Sequence, residues 1–175
     1  MNMNCQHVTL LVLLDLSAAF DTVDHEVLLN RLKSSIGISG TALKWFDSYL
    51  ANRSQRTSFE QNLSAKFQLS CGVPQGSCLG PLLFTIYASK LFEIIKEHLP
   101  LAHAYADDTQ LYVSFKPTST SNQNDAVAAM ERCISDIRSW MITDKLKLND
   151  SKTEIMLIGT RQQLACVLAV MISSQ

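Results

Sequence analysis

Val8-Thr9-Leu10-Leu11-Val12-Leu13-Leu14 is an almost unbroken aliphatic run, the pattern of a central strand buried on both faces. Beyond it, Asp24 is placed to cap a helix running to Ile36, with Val27, Leu28, Leu32 and Ile36 as its buried stripe and Gly37 ending it. A second helix is predicted from Thr41 to Leu50, burying Leu43, Phe46 and Leu50. Arg56–Glu60 and Ala65–Cys71 read as a hairpin leading into a Gly/Pro loop, and Pro81 opens one long helix to about Glu97. Leu101–Tyr105 and Gln110–Phe115 alternate aliphatic or aromatic residues with smaller or polar ones, as two short strands do. The Ser/Thr/Asn run from Thr118 to Asn124 reads as a linker loop. Val127, Met130, Ile134, Ile137 and Met141 then recur at helical spacing between Asp125 and Thr143, and strands Leu146–Leu148 and Glu154–Ile158 follow. Helices on one face of a small antiparallel sheet make this an α+β fold.

The chemistry of the chain lies in its carboxylates. Asp107 and Asp108 sit side by side between the two short strands, in Tyr105-Ala106-Asp107-Asp108. Two adjacent carboxylates at a hairpin tip are costly unless a cation lies there, and hard divalent ions favour such oxygen ligands. Taken alone, the same four residues also read as a solvated turn. Asp15 changes that balance. An acid at the end of an aliphatic strand is expensive to bury unpaired, so it belongs at the open end, beside water, a metal or a partner. If its strand lies next to the acidic hairpin, three carboxylates converge. Two divalent ions held there would activate an attacking oxygen and stabilise a leaving one.

Leu14-Asp15-Leu16-Ser17-Ala18-Ala19-Phe20-Asp21, Gly72-Val73-Pro74-Gln75-Gly76-Ser77 and Tyr105-Ala106-Asp107-Asp108 resemble, in order, the first three palm motifs of reverse transcriptases. The nearest likeness is to the enzymes of LINE-type retrotransposons, which lack long terminal repeats. Ser48-Tyr49-Leu50-Ala51-Asn52-Arg53-Ser54-Gln55-Arg56 and Leu146-Lys147-Leu148-Asn149-Asp150-Ser151-Lys152-Thr153-Glu154 resemble further stretches of that subtype. The likeness covers about Leu10 to Leu164. It implies a polymerase palm, related to the split βαβ arrangement. It also implies RNA-directed DNA synthesis from deoxynucleoside triphosphates, on an RNA template and a DNA primer or target, in the nucleus. Two Mg²⁺ ions, or Mn²⁺ in their place, would be held by Asp15, Asp107 and Asp108.

Other residues take roles from the same resemblance, each beside a plainer reading. Phe20 matches the aromatic that stacks under the incoming sugar and excludes a 2′-hydroxyl; on pattern alone it is equally a core aromatic. Gln75, Gly76 and Tyr105 match contacts to nucleotide or template, in or beside segments that otherwise read as turns. Lys152 matches a general acid for the pyrophosphate leaving group, or is a solvated lysine. Arg53 and Arg56 would contact phosphates, or form a solvated face. Asp21 and Asp24 are excluded as ligands, because helix entry and capping explain them.

A chain of 175 residues can bury one sizeable core, so a single domain is expected over 1–164 with a short apolar tail at 165–175, a cut strand or an unrelated reading frame. The net charge of −1 is low for a protein that grips phosphates. The resemblance accounts for it: basic fingers would precede the first motif and a thumb would follow the last, so this is expected to be a palm with most of both missing. The five cysteines lack any CxxC pair, which argues against a zinc knuckle and for reduced, mostly core-filling thiols in an intracellular protein. Met1-Asn2-Met3-Asn4 has no basic n-region of a signal peptide, and no apolar run reaches the length of a membrane span. The competing reading is a catalytically silent remnant that folds and binds nucleic acid weakly. A nucleotide cyclase, another palm-fold enzyme, is disfavoured by Pro74-Gln75-Gly76 and Arg53-Ser54-Gln55.

Overall fold

The computed structural model of the protein describes residues 7–105 and 107–173, with side chains to 167. The Met1–Asn4 segment, Cys5, Ala106 of the acidic turn and the last two residues lie outside the described residues. In chain order the elements are β1 (Val8–Leu14), α1 (His25–Ser34), α2 (Gly40–Leu50), β2 (Ser54–Gln55), β3 (Ser58–Phe59), β4 (Asn62–Leu63) and β5 (Phe67–Gln68). There follow α3 (Gly80–Tyr87), α4 (Ser89–His98), β6 (Leu101–Tyr105), β7 (Asp108–Phe115), α5 (Thr120–Thr143), β8 (Glu154–Ile158) and α6 (Arg161–Ser173). The chain divides into two compact units, one of residues 1–17, 90–142 and 147–175, the other of residues 18–89 and 143–146.

The first unit is built on an antiparallel sheet of order β6-β7-β1-β8. β1 is central, as its aliphatic run predicts, but it is not buried on both faces. Val8, Leu10, Val12 and Leu14 are buried while the residues between them are half-buried. In an antiparallel sheet covered on one side, only alternate side chains reach the core. β7 keeps the same rhythm, with Thr109, Leu111 and Phe115 buried and Asp108, Gln110 and Ser114 exposed. The core is completed by Leu91 and Ile95 of α4 and by Met130, Cys133, Ile137 and Trp140 of α5. Each such side chain removed from water contributes roughly 1.5–3 kcal/mol. The fold is the expected α+β palm.

Three expectations fail in this unit. α5 starts at Thr120, so much of the predicted linker is helix. Ser119 explains it: its Oγ accepts from Asn122 N at 3.3 Å, and Gln123 and Ala126 of the first turns are buried. Leu146–Leu148 forms no strand; Leu148 makes only an isolated bridge with Leu16. The stretch from Leu164 is part of helix α6, which crosses the expected boundary at 164, so it is not a cut strand.

In the second unit Asp24 caps α1 as predicted, accepting from Val27 N at 3.0 Å. The helix stops at Ser34, however, and Ile36 is exposed. Leu50 is the buried residue of α2; Leu43 and Phe46 are half-buried. The predicted single hairpin is two nested ones, β2 with β5 and β3 with β4. Positive φ at Glu60 and Gln61 makes the inner turn. The long helix opened by Pro81 is interrupted at Ala88, leaving α3 and α4, and the interruption falls at the border of the two units. Leu28, Leu32, Leu83, Phe84 and Tyr87 form the core of this unit. The segment 143–146 is held to it by ion pairs of Asp144 with Arg31 and Lys145 with Asp24, and by the Tyr87 hydroxyl donating to the Asp144 carbonyl.

Of the cysteines, Cys71, Cys78 and Cys166 are exposed, against the expectation of core filler. Cys133 is buried, and loss of solvent, with the Asp136 charge adding to it, pushes its thiol up to about 11. Among the described residues, no helix is long and apolar enough to cross a membrane.

Candidate active site

In the first unit the sheet sets the positions of the acids. The last pair of the β1–β7 ladder is Leu14 with Thr109. Asp15 follows Leu14 and Asp108 precedes Thr109, so the two aspartates lie directly beyond the last pair of the ladder, at the same end of the sheet. Asp108 is also the last residue paired with β6, opposite Tyr105. It belongs to a strand rather than to the turn, and Asp107 is the described turn residue. Asp15 and Asp107 are half-buried, Asp108 is exposed, and Tyr105 is 85% exposed.

Alternation puts Asp15 and Asp108 on the open face of the sheet, opposite the buried Leu14 and Thr109. The same face holds a cavity of about 620 Å³ lined by Leu11, His103, Gln110, Tyr112 and Ile158, where the His103 and Tyr112 rings stack at 5.6 Å. The backbone thus brings the carboxylates to one end of one sheet. The side chains are not drawn together as the sequence suggested: among the described residues, no three acidic, histidine or cysteine side chains are grouped to hold a metal. Carboxylate oxygens are the donors that hard cations favour, and Asp108 is exposed at this end of the sheet.

One partner of Asp15 carries no signal of that role in the sequence. Asn149 donates its side-chain amide to Asp15 Oδ2 at 2.8 Å and its backbone N–H to the Asp15 carbonyl at 2.9 Å. Its own Oδ1 accepts from Ser151 at 2.8 Å. The turn that follows begins on the Asn149 carbonyl, which accepts from Lys152 N at 3.1 Å and Thr153 N at 3.0 Å. Lys152 itself is exposed. The sequence shows the Asn-Asp-Ser turn beside Lys152, but nothing in a linear pattern ties it to an acid 134 positions away.

The second unit arranges the remaining candidates. Gly72 N donates to Val23 O at 2.7 Å and Val73 N to Phe20 O at 2.8 Å, which ties the Gly/Pro loop to the segment after Asp15. Gly72 has φ +90°, and a Cβ there would lie 3.0 Å from the Asp21 carbonyl oxygen, so only glycine fits without displacement. Gly80 is equally constrained, its absent Cβ falling 2.9 Å from the Pro74 carbonyl oxygen and 3.8 Å from the Phe20 ring. Phe20 is half-buried and stacks on the fully buried Phe84 at 5.0 Å and 24°. It is therefore anchored in the core and still partly open. Gln75 and Gly76 are exposed. Gln75 and Arg53 line a cavity of about 530 Å³ with Asp21, Ser54 and Gln55. Arg56 is exposed and is not part of that lining.

Residues 2–170 match the family model described as reverse transcriptase (RNA-dependent DNA polymerase). The chain belongs to the reverse transcriptase family. It is 28% identical over 147 residues to the probable RNA-directed DNA polymerase from transposon BS of Drosophila melanogaster, covering 81% of this chain and 16% of that protein. Similarity to the RNA-directed DNA polymerase from the mobile element jockey of Drosophila melanogaster is 28% over 145 residues, covering 79% and 15%. The chain thus spans about a sixth of the length of the curated relatives it matches. Their origin in mobile elements agrees with the LINE-type subtype expected from the motifs. Among solved structures, apo telomerase from Candida tropicalis truncated from its C-terminal domain superposes with a TM-score of 0.60 at 16% identity, covering 87% of this chain and 31% of that one. This last likeness concerns the fold alone.

Proposed function

We propose that this reverse transcriptase chain is the palm core of an RNA-directed DNA polymerase, transferring a nucleotide from a deoxynucleoside triphosphate to a primer 3′-hydroxyl on an RNA template. The observation that carries the reading is the register: Asp15 immediately after Leu14 and Asp108 immediately before Thr109, the last pair of the β1–β7 ladder, with Asp107 in the adjoining turn. Two bound Mg²⁺ ions would supply charge neutralisation and activation of the attacking oxygen. Asp15, Asp107 and Asp108 would hold them.

The chain's own groups divide the remaining work. Asn149 holds the Asp15 carboxylate in one orientation, so less order is lost when a ligand arrives. The 3′-oxygen attacks the α-phosphorus, the bond to the bridging oxygen breaks, and pyrophosphate leaves. Lys152, exposed on the Asn149 turn, donates a proton to that leaving group. Phe20, backed by Phe84, packs under the sugar and excludes a 2′-hydroxyl. Gln75, Gly76 and Tyr105 contact nucleotide or template, and Arg53 and Arg56 contact phosphates.

The test is a chimaera in which this chain replaces the matching segment of the jockey polymerase. It is expected to extend a DNA primer on an RNA template in Mg²⁺. A chimaera that folds and binds primer-template but adds no nucleotide would favour the silent-remnant reading.

A further inference from the structure

The second unit carries an aromatic ladder, exposed at Trp45 and half-buried at Tyr49 and Arg53, that the catalytic reading leaves unused. On α2 the rings of Trp45 and Tyr49, one turn apart, stand 5.5 Å apart and within 12° of parallel. Phe46 packs edge-on against Trp45 at 5.2 Å, which fixes the indole in place. The helix ends at Leu50, and Asn52 takes φ 55°, a left-handed conformation that asparagine tolerates. That turn brings Arg53 back over Tyr49, its guanidinium carbon 5.2 Å from the ring centroid and Nη1 donating to the Tyr49 carbonyl at 3.1 Å. Three planar groups therefore follow one another in the order Trp45, Tyr49, Arg53.

The Trp45 end of this ladder is not core. Trp45 is 53% exposed, whereas the other tryptophan, Trp140, is buried. Arg53 also lines the cavity that contains Gln55 and Gln75, so the ladder runs into a polar hollow. Lys44 and Arg56 are exposed close by in the chain, but so is Asp47 on the same helix, which repels phosphates. The recognition chemistry thus lies more in the planar faces than in net charge. Stacked aromatics ending in an arginine suit unpaired bases, whose faces a duplex keeps hidden.

We propose that the outer face of Trp45, backed by Tyr49, stacks an unpaired base of an RNA strand, and that Arg53, at the inner end of the stack beside the cavity lined by Gln55 and Gln75, takes a phosphate of the same strand. The choice of RNA rests on the polymerase reading, in which the unpaired strand is the template. The stacking itself involves none of the carboxylates.

The experiment is a titration of the intact chain with a single-stranded uridine oligonucleotide and its deoxythymidine counterpart, without divalent metal. Emission is followed from Trp45, and affinity from anisotropy of a labelled strand. The uridine strand is expected to quench the emission. Trp45→Ala should weaken binding about tenfold, Trp45→Phe should largely restore it, and Tyr49→Ala, which removes the ring backing the indole, should weaken it about threefold. Trp45→Ala should leave the salt slope of the affinity unchanged, whereas Arg53→Ala should reduce it by about 0.7, the value for one phosphate on a single strand. Circular dichroism of each variant establishes that it is folded. Parent-like affinity in folded Trp45→Ala and Tyr49→Ala would overturn the proposal. So would a deoxy strand that binds more tightly, or an emission that responds to protein concentration and not to the strand, the sign of a surface joining two copies. A chimaera without primer extension that keeps Trp45-dependent quenching would fault the polymerase reading and support the platform. Extension with no dependence on Trp45 would do the reverse.

Discussion

Asn149 grips Asp15 twice, through its side-chain amide at 2.8 Å and its backbone N–H at 2.9 Å. The first bond aims the carboxylate and the second fixes the strand end that carries it. Asn149→Ala should therefore weaken metal-dependent activity about 10- to 100-fold, as losses of groups that orient metal ligands do. The cost in stability should be about 1–3 kcal/mol, because the side-chain hydrogen bonds to Asp15 and from Ser151 are both lost. The checks are the Mg²⁺ dependence of primer extension in the chimaera and a urea melt of the chain. A parent-like Mg²⁺ dependence would remove Asn149 from the site.

Gly72 is held where a side chain has no room, at φ +90° against the Asp21 carbonyl. Gly72→Ala should cost roughly 2–4 kcal/mol, combining the left-handed penalty with overpacking. Denaturant unfolding reads this directly. A loss below about 0.5 kcal/mol would show that the loop relaxes away from residues 20–23.

Asp24 is held below its ordinary 3.8 chiefly by the hydrogen bond from Lys145, with the α1 backbone adding to it. A carboxyl lowered in the folded state contributes stability above its unfolded value, and that contribution is lost as pH falls through the folded value. The acid limb below about pH 4 should thus be shallower in Asp24→Asn, which keeps a helix cap and loses the ion pair. Asp24→Ala should lose the cap too, about 0.5–2 kcal/mol at neutral pH. Stability measured from pH 2 to 7 for the three proteins separates the two effects. Parallel acid limbs would show that Asp24 is not the group responsible.

Phe20 has its ring on Phe84 and is still partly open, so both sequence readings have a physical basis. Phe20→Val should lower the melting temperature, since a stacked aromatic contributes about 0.5–1.5 kcal/mol beyond its area. If it is also the gate, the ratio of ribonucleotide to deoxyribonucleotide kcat/KM in the chimaera should rise ten- to hundredfold, a shift typical of shape discrimination of about 1–3 kcal/mol. A lowered melting temperature with an unchanged ratio would make Phe20 a packing residue only.

The parts of the fold legible in the sequence were those whose signal is local and strong. Val8–Leu14 announces a strand because no polar residue interrupts it until Asp15, apart from Thr9, and Asp24 announces a helix start because its side chain bonds three residues ahead. Where tertiary context decides, the reading failed. Thr120–Asn124 has loop propensity, yet burial of Gln123 and the Ser119 cap make it helix. Ala88 has high helix propensity, yet the helix breaks there, at the border of two units that no local pattern marks. For the site, sequence placed Asp15 on the strand beside the acidic hairpin, while Asn149 escaped notice because its partner is distant in the chain.

The central claim is that Asp15, Asp107 and Asp108 hold divalent metal at one end of the β7–β1 ladder. Paramagnetic broadening of backbone amides by Mn²⁺, recorded on the isotope-labelled chain, tests it most directly. Broadening should be strongest at Asp15, Asp107, Asp108 and Asn149 and should fall away along both strands. Asp107→Asn should require at least tenfold more Mn²⁺ for the same effect while leaving the spectrum elsewhere unchanged. Broadening centred on other acids, or indifferent to Asp107→Asn, would contradict the account.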